Sequence, residues 1–355
     1  MKHKKWMHFL TAAVMLVSSL TLLPSLSVSA AAESVTVDGL NYTISGGEAT
    51  LTGAANSPAN LVVPPTVKSV PVTKIEEDAF HYDDVIQTVS IPSSVKAIGN
   101  YAFSSCKKLD TFTMAEGVTT LGYCVFNNSM HLNKIVIPKT LTTIGPNCFS
   151  NTLWLESQQK NSQWVIVNGL LVDGSTCTAS CTIPTSVREI LPNAFTNVKG
   201  LSDIVIPKHI DFLPDGAIAQ CTNLRMVTIG NPKCRFGCEE ANHTGVPCCI
   251  YTRATAIWKC EYDGIIRGYL GSTAQTYAKN HNVSFLSLGD ITGDGKLTAD
   301  DSNLILLEYL STKIMNTGKT LTENQRFAAD YDLDADITAD DASAVLRVYL
   351  ENMMK

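Results

Sequence analysis

Residues 89–109 read VSIPSSVKAIGNYAFSSCKKL, residues 135–151 read IVIPKTLTTIGPNCFSN and residues 182–201 read TIPTSVREILPNAFTNVKGL. Each stretch carries the same pattern, apolar residues before a proline, an apolar residue five before a Phe, and a short polar turn after it. Phe80, Phe103, Phe126 and Phe149 stand 23 residues apart, Phe195 follows two periods later, and Ile218 takes the next anchor position. Five residues before these anchors stand Ile75, Ile98, Leu121, Ile144, Ile190 and Leu213, and six after stand Ile86, Leu109, Leu132, Leu155, Leu201 and Leu224. Nine and eleven residues after come the alternating pairs Val89/Ile91, Phe112/Met114, Ile135/Ile137, Ile204/Ile206 and Val227/Ile229. Period-two alternation predicts a short, half-buried strand, which Pro92, Pro138, Pro184 and Pro207 then end. A unit this short cannot bury its apolar face alone, so successive coils must stack into a solenoid.

One period is irregular. Between Phe149 and Phe195 the run WVIVNGLLVDG sets Asn168-Gly169 between two apolar segments, which predicts a β-hairpin folded into the solenoid around residues 154–182.

These runs resemble the BspA-like leucine-rich repeat, a family of secreted and surface proteins, over roughly residues 60–230, within a repeat domain expected to span 33–230. The resemblance implies parallel strands lining one curved face. The residues between the apolar pairs, Ser90, Thr113, Val136, Val205 and Thr228, are expected to form one exposed column. None of them is ionisable, and acid–base or nucleophilic chemistry needs a titratable group beside a partner. No G-x-S-x-G or H-E-x-x-H motif appears in the chain either. The repeat therefore reads as non-catalytic, a surface for protein or carbohydrate contact.

The N-terminus has the layout of a secretory signal over residues 1–30. Lys2, Lys4 and Lys5 precede an apolar run from Phe9 to Leu23, and small residues end at Ala30. Export predicts an extracellular protein. Eleven cysteines then raise the question of disulfides, but the number is odd and the spacing is not that of a small stapled scaffold. Cys106 and Cys221 share one phase of the repeat and read as interior filler, whereas Cys177 and Cys181 are close enough to pair. Residues 231–288 hold Cys234, Cys238, Cys248, Cys249 and Cys260 with His243 among them, and zinc, disulfides and free thiols all remain open there. The end of this segment, with a helix starting near Ser272 and a strand around Phe285, reads as a cap that hides the terminal core of the solenoid.

From Asp290 the chain reads DITGDGKLTADD and from Asp330 it reads DYDLDADITADD, two copies 40 residues apart. The segment from Gly289 onward has thirteen acidic and six basic residues, a balance of −7 against −6 for the whole chain. That balance excludes nucleic acid as a partner and favours cations. Oxygen ligands stand at loop positions 1, 3, 5 and 12, namely Asp290, Thr292, Asp294 and Asp301, and Asp330, Asp332, Asp334 and Asp341. Lys296 and Asp336 offer a backbone carbonyl at position 7. Calcium takes six to eight hard oxygens in a flexible twelve-residue loop, so the pattern predicts two calcium ions. Matching helices follow each loop, with Ile305, Leu306, Tyr309 and Leu310 in the phase of Val345, Leu346, Tyr349 and Leu350. Between them Thr322-Glu323-Asn324-Gln325 predicts a capping box and a third helix toward Ala329.

Residues 289–355 resemble a type I dockerin, a small all-α module with duplicated F-hand calcium loops. Strand and loop rather than a helix lead into the first loop, and Asp rather than Glu closes each site. The fold class is therefore expected to be α+β, a leucine-rich-repeat solenoid with a parallel sheet followed by this module. The resemblance implies a cohesin of a scaffoldin as partner and a cellulosome as setting. It also implies that Ala299-Asp300 and Ala339-Asp340 choose the cohesin, in two orientations that Leu307 against Arg347 makes unequal. Two residues depart from the family pattern, Thr292 in place of Asn or Asp, and Ala335 in place of the turn glycine. The other functions the resemblance brings with it are an enzyme of polysaccharide degradation and an adhesin carried on the complex; the first lacks a domain able to form a deep cleft.

Overall fold

The computed structural model of the protein describes residues 32–239, 249–251, 253–255 and 259–355. The expected signal segment, His243, Cys248 and the side chain of Cys260 lie outside these described residues. Among the described residues no helix is long and apolar enough to cross a membrane.

The phenylalanine anchors stack into a spine. Ring centroids of Phe80 and Phe103 lie 5.2 Å apart, those of Phe103 and Phe126 6.4 Å, and those of Phe126 and Phe149 5.8 Å. Phe112 fits edge-on between them at 4.9 and 4.7 Å, so consecutive coils interlock through offset and T-shaped contacts rather than through slippery aliphatic layers. One parallel ladder runs through Asn60–Val62, Thr88–Ile91, Thr111–Met114 and Lys134–Val136. A second runs through Val70–Ile75, Ala97–Ile98, Thr120–Leu121 and Thr143–Ile144. These coils thus carry two strand pieces each where the alternation pointed to one; the second is two residues long in most of them, too short to show a period of two in the sequence.

Between the ladders each coil turns its corners with left-handed residues at fixed phase. Two residues before the anchors, Asp78, Tyr101, Cys124, Asn147 and Asn193 all have φ between 53° and 65°. Two residues after, Tyr82, Ser105, Asn128, Asn151, Asn197 and Gln220 have φ between 57° and 62°. Consecutive coils approach closely at Gly122 and Gly145. A Cβ on Gly145 would meet Gly122 C at 2.5 Å, and one on Gly122 would meet the Asn100 backbone nitrogen at 2.7 Å.

Ahead of the first coil, Glu33–Val37, Leu40–Ser45 and Glu48–Ala54 form an antiparallel meander whose last strand pairs in parallel with Val70–Ile75. After the fourth Phe anchor the period is interrupted by helix α1 (Leu153–Asn161), which the sequence reading missed. Thr152 caps it and the buried Trp154 packs on Phe149 at a tilt, with ring centroids 4.6 Å apart. Asn168 and Gly169, at φ 48° and 82°, then turn the chain between the antiparallel strands Val165–Val167 and Leu170–Asp173. The second of these pairs in parallel with Glu189–Ile190 and re-enters the solenoid. A further parallel ladder follows through Ala179–Thr182, Leu201–Ile206, Met226–Ile229, Ile265–Gly268 and Ser284–Ser287. Helix α2 (Thr273–Asn280), capped by Ser272, lies between the last two strands and buries Ala274, Tyr277 and Ala278.

The chain ends in helices α3 (Ala299–Tyr309), α4 (Glu323–Ala329) and α5 (Ala339–Met353), with a π turn at Leu310–Ile314 prolonging α3. Their small core is Ile291, Ile305, Leu321, Ala328, Ala329, Ile337, Ala342 and Val345.

The cysteines of the repeat are structural. Cys106 Sγ donates to the Phe80 carbonyl at 3.2 Å and Cys221 Sγ to the Phe195 carbonyl at 3.1 Å. One coil after Cys106, Ser129 Oγ donates to the Phe103 carbonyl at 2.7 Å, so a serine hydroxyl fills the same role there as the two thiols. Burial pushes the Cys106 thiol up to about 12, which keeps it protonated. Cys177 and Cys181 are free, hydrogen-bonded thiols rather than a disulfide.

Candidate metal loops and partner face

The two acidic loops are closed in the same way. Asp301, fully buried, accepts from the Ile291 and Thr292 backbone nitrogens with Oδ1, both at 2.9 Å. Its Oδ2 accepts from the Thr298 nitrogen and hydroxyl, both at 2.8 Å. Asp341, equally buried, accepts from Tyr331 N at 2.7 Å and Asp332 N at 3.2 Å with Oδ1, and from Thr338 N at 2.8 Å with Oδ2. Each closing aspartate is the third residue of its helix and completes a capping box with the threonine that starts it, so the negative charge sits at a helix N-terminus, where the dipole favours it. Burial acts upward on the Asp301 carboxyl, but the hydrogen bonds from Thr292 and Thr298 outweigh it and hold the group below the usual carboxylate value.

The opening halves differ. In the first loop Asp290 turns inward on its own backbone, accepting from Gly293 N at 2.7 Å, Asp294 N at 3.1 Å and Gly295 N at 2.8 Å. Thr292 adds only a hydroxyl, 3.5 Å from Asp290 Oδ1. In the second loop the carboxylate oxygens of Asp330, Asp332 and Asp334 lie within 4.8 Å of one another. Asp330 Oδ1 is buried and has no hydrogen-bond partner. Burial pushes its carboxyl up to about 6, with the Arg267 guanidinium pulling it down and Asp341 pushing it up. A buried, unpartnered carboxylate oxygen facing two further carboxylates suits a hard divalent cation, since three such groups repel one another without one. Gly293 and Gly295 adopt φ 77° and 78°; the matching Leu333 and Ala335 are forced to 66° and 76°. Asp336, opposite Lys296 in the duplication, pairs its exposed side chain with Lys313 at 2.8 Å and leaves only its carbonyl for the loop.

Helices α3 and α5 pack across this pseudo-symmetry. Ser302 Oγ donates to the Ala342 carbonyl at 2.8 Å, beside the buried Ile305 and Val345. Of the rest of the expected apolar stripe, Tyr309 and Tyr349 are half-buried and the leucines face outward. Leu306, Leu307 and Leu310 are 37%, 46% and 36% exposed, and Leu346 and Leu350 are 38% and 48% exposed. Asp300, Asp340 and Arg347 are exposed on the same two helices, and Ala299 and Ala339 are half-buried at their first turns. Glu308 escaped the sequence reading. Fully buried, it binds Thr320 N at 2.6 Å and Leu321 N at 3.0 Å and pairs with Arg326, tying α3 to the connection before α4.

Arg267 was missed as well. It occupies the fourth place in the strand column Thr182, Val205, Thr228, Arg267, and its Nε donates to Thr228 Oγ1 at 2.8 Å while Nη1 donates to the Phe327 carbonyl in α4 at 2.7 Å. Thr228, expected to be exposed, is therefore covered and only 2% accessible. Tyr269 OH donates to the Tyr331 carbonyl at 3.0 Å. A cleft of about 270 Å³ remains between Ser180, Thr182 and Val205 of the solenoid and Asp330, Leu333 and Ala335 of the second loop. Arg267 falls 39 residues after Thr228 instead of 23, which removed it from the periodic register.

Residues 67–168 and 173–237 match the BspA type leucine rich repeat region in six copies. The solenoid is a BspA-type leucine-rich repeat. No curated protein matches the chain significantly. Among solved structures, the chain is similar to a leucine-rich repeat protein of T. pallidum (TpLRR), with 24% identity over 56% of this chain and 82% of that one, at a TM-score of 0.36. A leucine-rich repeat protein of Bacteroides ovatus shows 22% identity over 67% of this chain and 50% of that one, at a TM-score of 0.36. One from Bacteroides capillosus shows 27% identity over 34% of this chain and 93% of that one, at 0.31. The matched repeats stop at residue 237, ahead of the acidic loops.

Proposed function

We propose that this is a secreted, non-catalytic subunit of a cellulosome-type complex. Its last three helices act as a dockerin that folds around two calcium ions and binds a cohesin of a scaffoldin, while the BspA-type repeat supplies protein or carbohydrate contact outside the cell. The observation that carries the reading is the duplicated loop–helix unit. Asp301 and Asp341 close their loops through matching hydrogen bonds, and each loop is followed by a helix with an exposed leucine row. A small helical core of this size gains much of its stability from metal, so calcium and folding are coupled. The leucine rows of α3 and α5 are related by the internal two-fold, which supports an apolar docking face usable in two orientations. For the repeat, the support is a set of exposed aromatic residues on the turns that flank the anchors. Tyr82, Tyr101 and Tyr123 are 69%, 38% and 55% exposed, and His81 stacks on Tyr82 at 4.0 Å and on Tyr101 at 5.9 Å. Flat, amphipathic rings of this kind suit sugar or protein surfaces.

The test is calorimetric titration of the chelator-treated mature chain with calcium, then with a panel of cohesins in calcium and in chelator. Two calcium ions and chelator-sensitive cohesin binding are expected. Changing Ala299 and Asp300 alone should barely weaken that binding, and changing them together with Ala339 and Asp340 should abolish it. A chain that takes up calcium but no cohesin overturns the dockerin reading and leaves the repeat as a free extracellular binder.

A further inference from the structure

Beyond the acidic loops, one cluster of ligand-type side chains has no role in the reading above. It lies where the regular repeats end. Asp215 comes from the turn between Phe212–Leu213 and Ile218–Ala219. Cys238 sits in the single helical turn Gly237–Glu239, Cys249 directly precedes the strand Ile250–Tyr251, and His281 is the C-cap of α2. Four separate pieces of chain thus converge. The Cys238 and Cys249 sulfurs are 3.0 Å apart, and Cys249 Sγ is 3.8 Å from Asp215 Oδ1. These three ligand atoms all lie within 4.8 Å of one another, and His281 hydrogen-bonds the Cys238 thiol.

The surroundings hold the groups in place. A Cβ on Gly237 would meet Asp215 Oδ1 at 2.8 Å, so the turn bearing Cys238 is pressed directly onto the carboxylate. Cys249 is fully buried, and the carbonyl of the same residue accepts from Ile218 N at 3.1 Å, which ties it to the last regular coil. The His281 ring lies against Tyr277 at 4.3 Å, and Tyr277 stacks on Phe236 at 4.3 Å.

We propose that Asp215, Cys238, Cys249 and His281 form a structural site for one zinc-class divalent cation that clamps the end of the repeat array to α2. Two thiolates, an imidazole and a carboxylate complete a closed tetrahedral set with no open position for substrate. Metal–ligand bonds of about 2.0 to 2.3 Å put neighbouring ligand atoms about 3.3 to 3.8 Å apart, so the Cys238–Cys249 and Cys249–Asp215 spacings of 3.0 and 3.8 Å are close to those of a loaded site, and the His281 ring swings in from its hydrogen bond to Cys238. A disulfide would need only the two sulfurs. It gives no reason for a carboxylate and an imidazole to face the same point, and bringing a metal there satisfies both. Hard-oxygen chemistry at the acidic loops and soft-sulfur chemistry here make the two sites separable by metal.

The test uses the full mature chain, purified with its thiols reduced and then loaded with cobalt in the presence of excess calcium. Cobalt at the proposed site gives intense tetrahedral d–d bands and a thiolate-to-cobalt charge-transfer band, which oxygen-only calcium loops cannot produce. One equivalent of zinc should displace the signal. Cys238→Ser should abolish the charge-transfer band or shift and weaken it by about half, His281→Ala should loosen zinc at least about tenfold, and Cys106→Ser should change neither. Circular dichroism of each variant separates loss of metal from loss of fold. Three results overturn the proposal: no charge-transfer band from the reduced wild-type chain, an unchanged band in folded Cys238→Ser, or a Cys238–Cys249 disulfide in the protein as it is secreted. The calcium and cohesin titrations are independent of all three, so failure here leaves the dockerin reading standing.

Discussion

Ala335 and Gly295 occupy equivalent places in the two acidic loops, and both are left-handed, at φ 76° and 78°. The alanine carries a steric cost of about 1 kcal/mol that the glycine does not. Ala335→Gly is therefore expected to tighten calcium at the second loop about fivefold, measured by calorimetry, with the first loop unchanged. Asp330 makes that loop sensitive to pH, because burial raises its carboxyl from the usual 3.8 to about 6. Below about pH 6 calcium has to displace a proton, so second-loop affinity should fall as pH drops from about 7 to about 5. In the metal-free protein the sign reverses. A carboxyl with a raised folded-state pKa contributes stability that declines as pH rises from about 4 to about 6, which urea melts in chelator can follow. Within the repeat, Cys106→Ser should keep the bond to the Phe80 carbonyl, as Ser129 does one coil later, whereas Cys106→Ala should cost about 1 kcal/mol in a denaturant titration. The phase of Cys106 and Cys221 was legible in the sequence as interior filler. That the thiol is also a donor to the coil before it was not, because a hydrogen bond over 26 residues leaves no local pattern.

Each regular coil of the repeat joins its short strand pieces through left-handed corners, and the corners bound what substitution tolerates. At Gly122 an added methyl group would sit 2.5 Å from Asn100 Oδ1 and 2.7 Å from its backbone nitrogen. Gly122→Ala should destabilise the chain by about 1 to 3 kcal/mol, read as a lowered melting temperature, since the neighbouring coil cannot retreat without opening the ladder. The stacked anchors, the strand pairs and the Thr322–Gln325 cap of α4 were readable because each follows from spacing along the chain. Helix α1 was not. Its nine residues carry little amphipathic pattern, and it is set by Thr152 at its start and by Trp154 packing on Phe149. The helices α3 and α5 illustrate the same division. Their apolar period was evident, but which residues face the core depended on the partner helix: Ile305, Ala342 and Val345 turned inward, while Leu306, Leu310, Leu346 and Leu350 stayed more than a third exposed.

Across the whole molecule, the acidic helices are held against the solenoid by Arg267, which is 5% accessible and reaches from Thr228 to the last turn of α4. Removing a charged donor of this kind costs about 2 kcal/mol and frees the helix end. Arg267→Met should split a single calorimetric unfolding transition into two and lessen the effect of calcium on the melting of the repeat. The solenoid, its period, the duplicated acidic loops and their closing aspartates were determined by the sequence alone, because repetition at 23 and 40 residues forces equivalent positions into equivalent environments. What only the tertiary structure decided lies where repetition breaks. Arg267 falls out of register after the long segment beyond residue 230, Thr228 is covered rather than exposed, and Asp215, Cys238, Cys249 and His281 meet from four places that no spacing rule connects. Such convergence depends on how coils, turns and helices stack in space, and stacking distance is not written in distance along the chain.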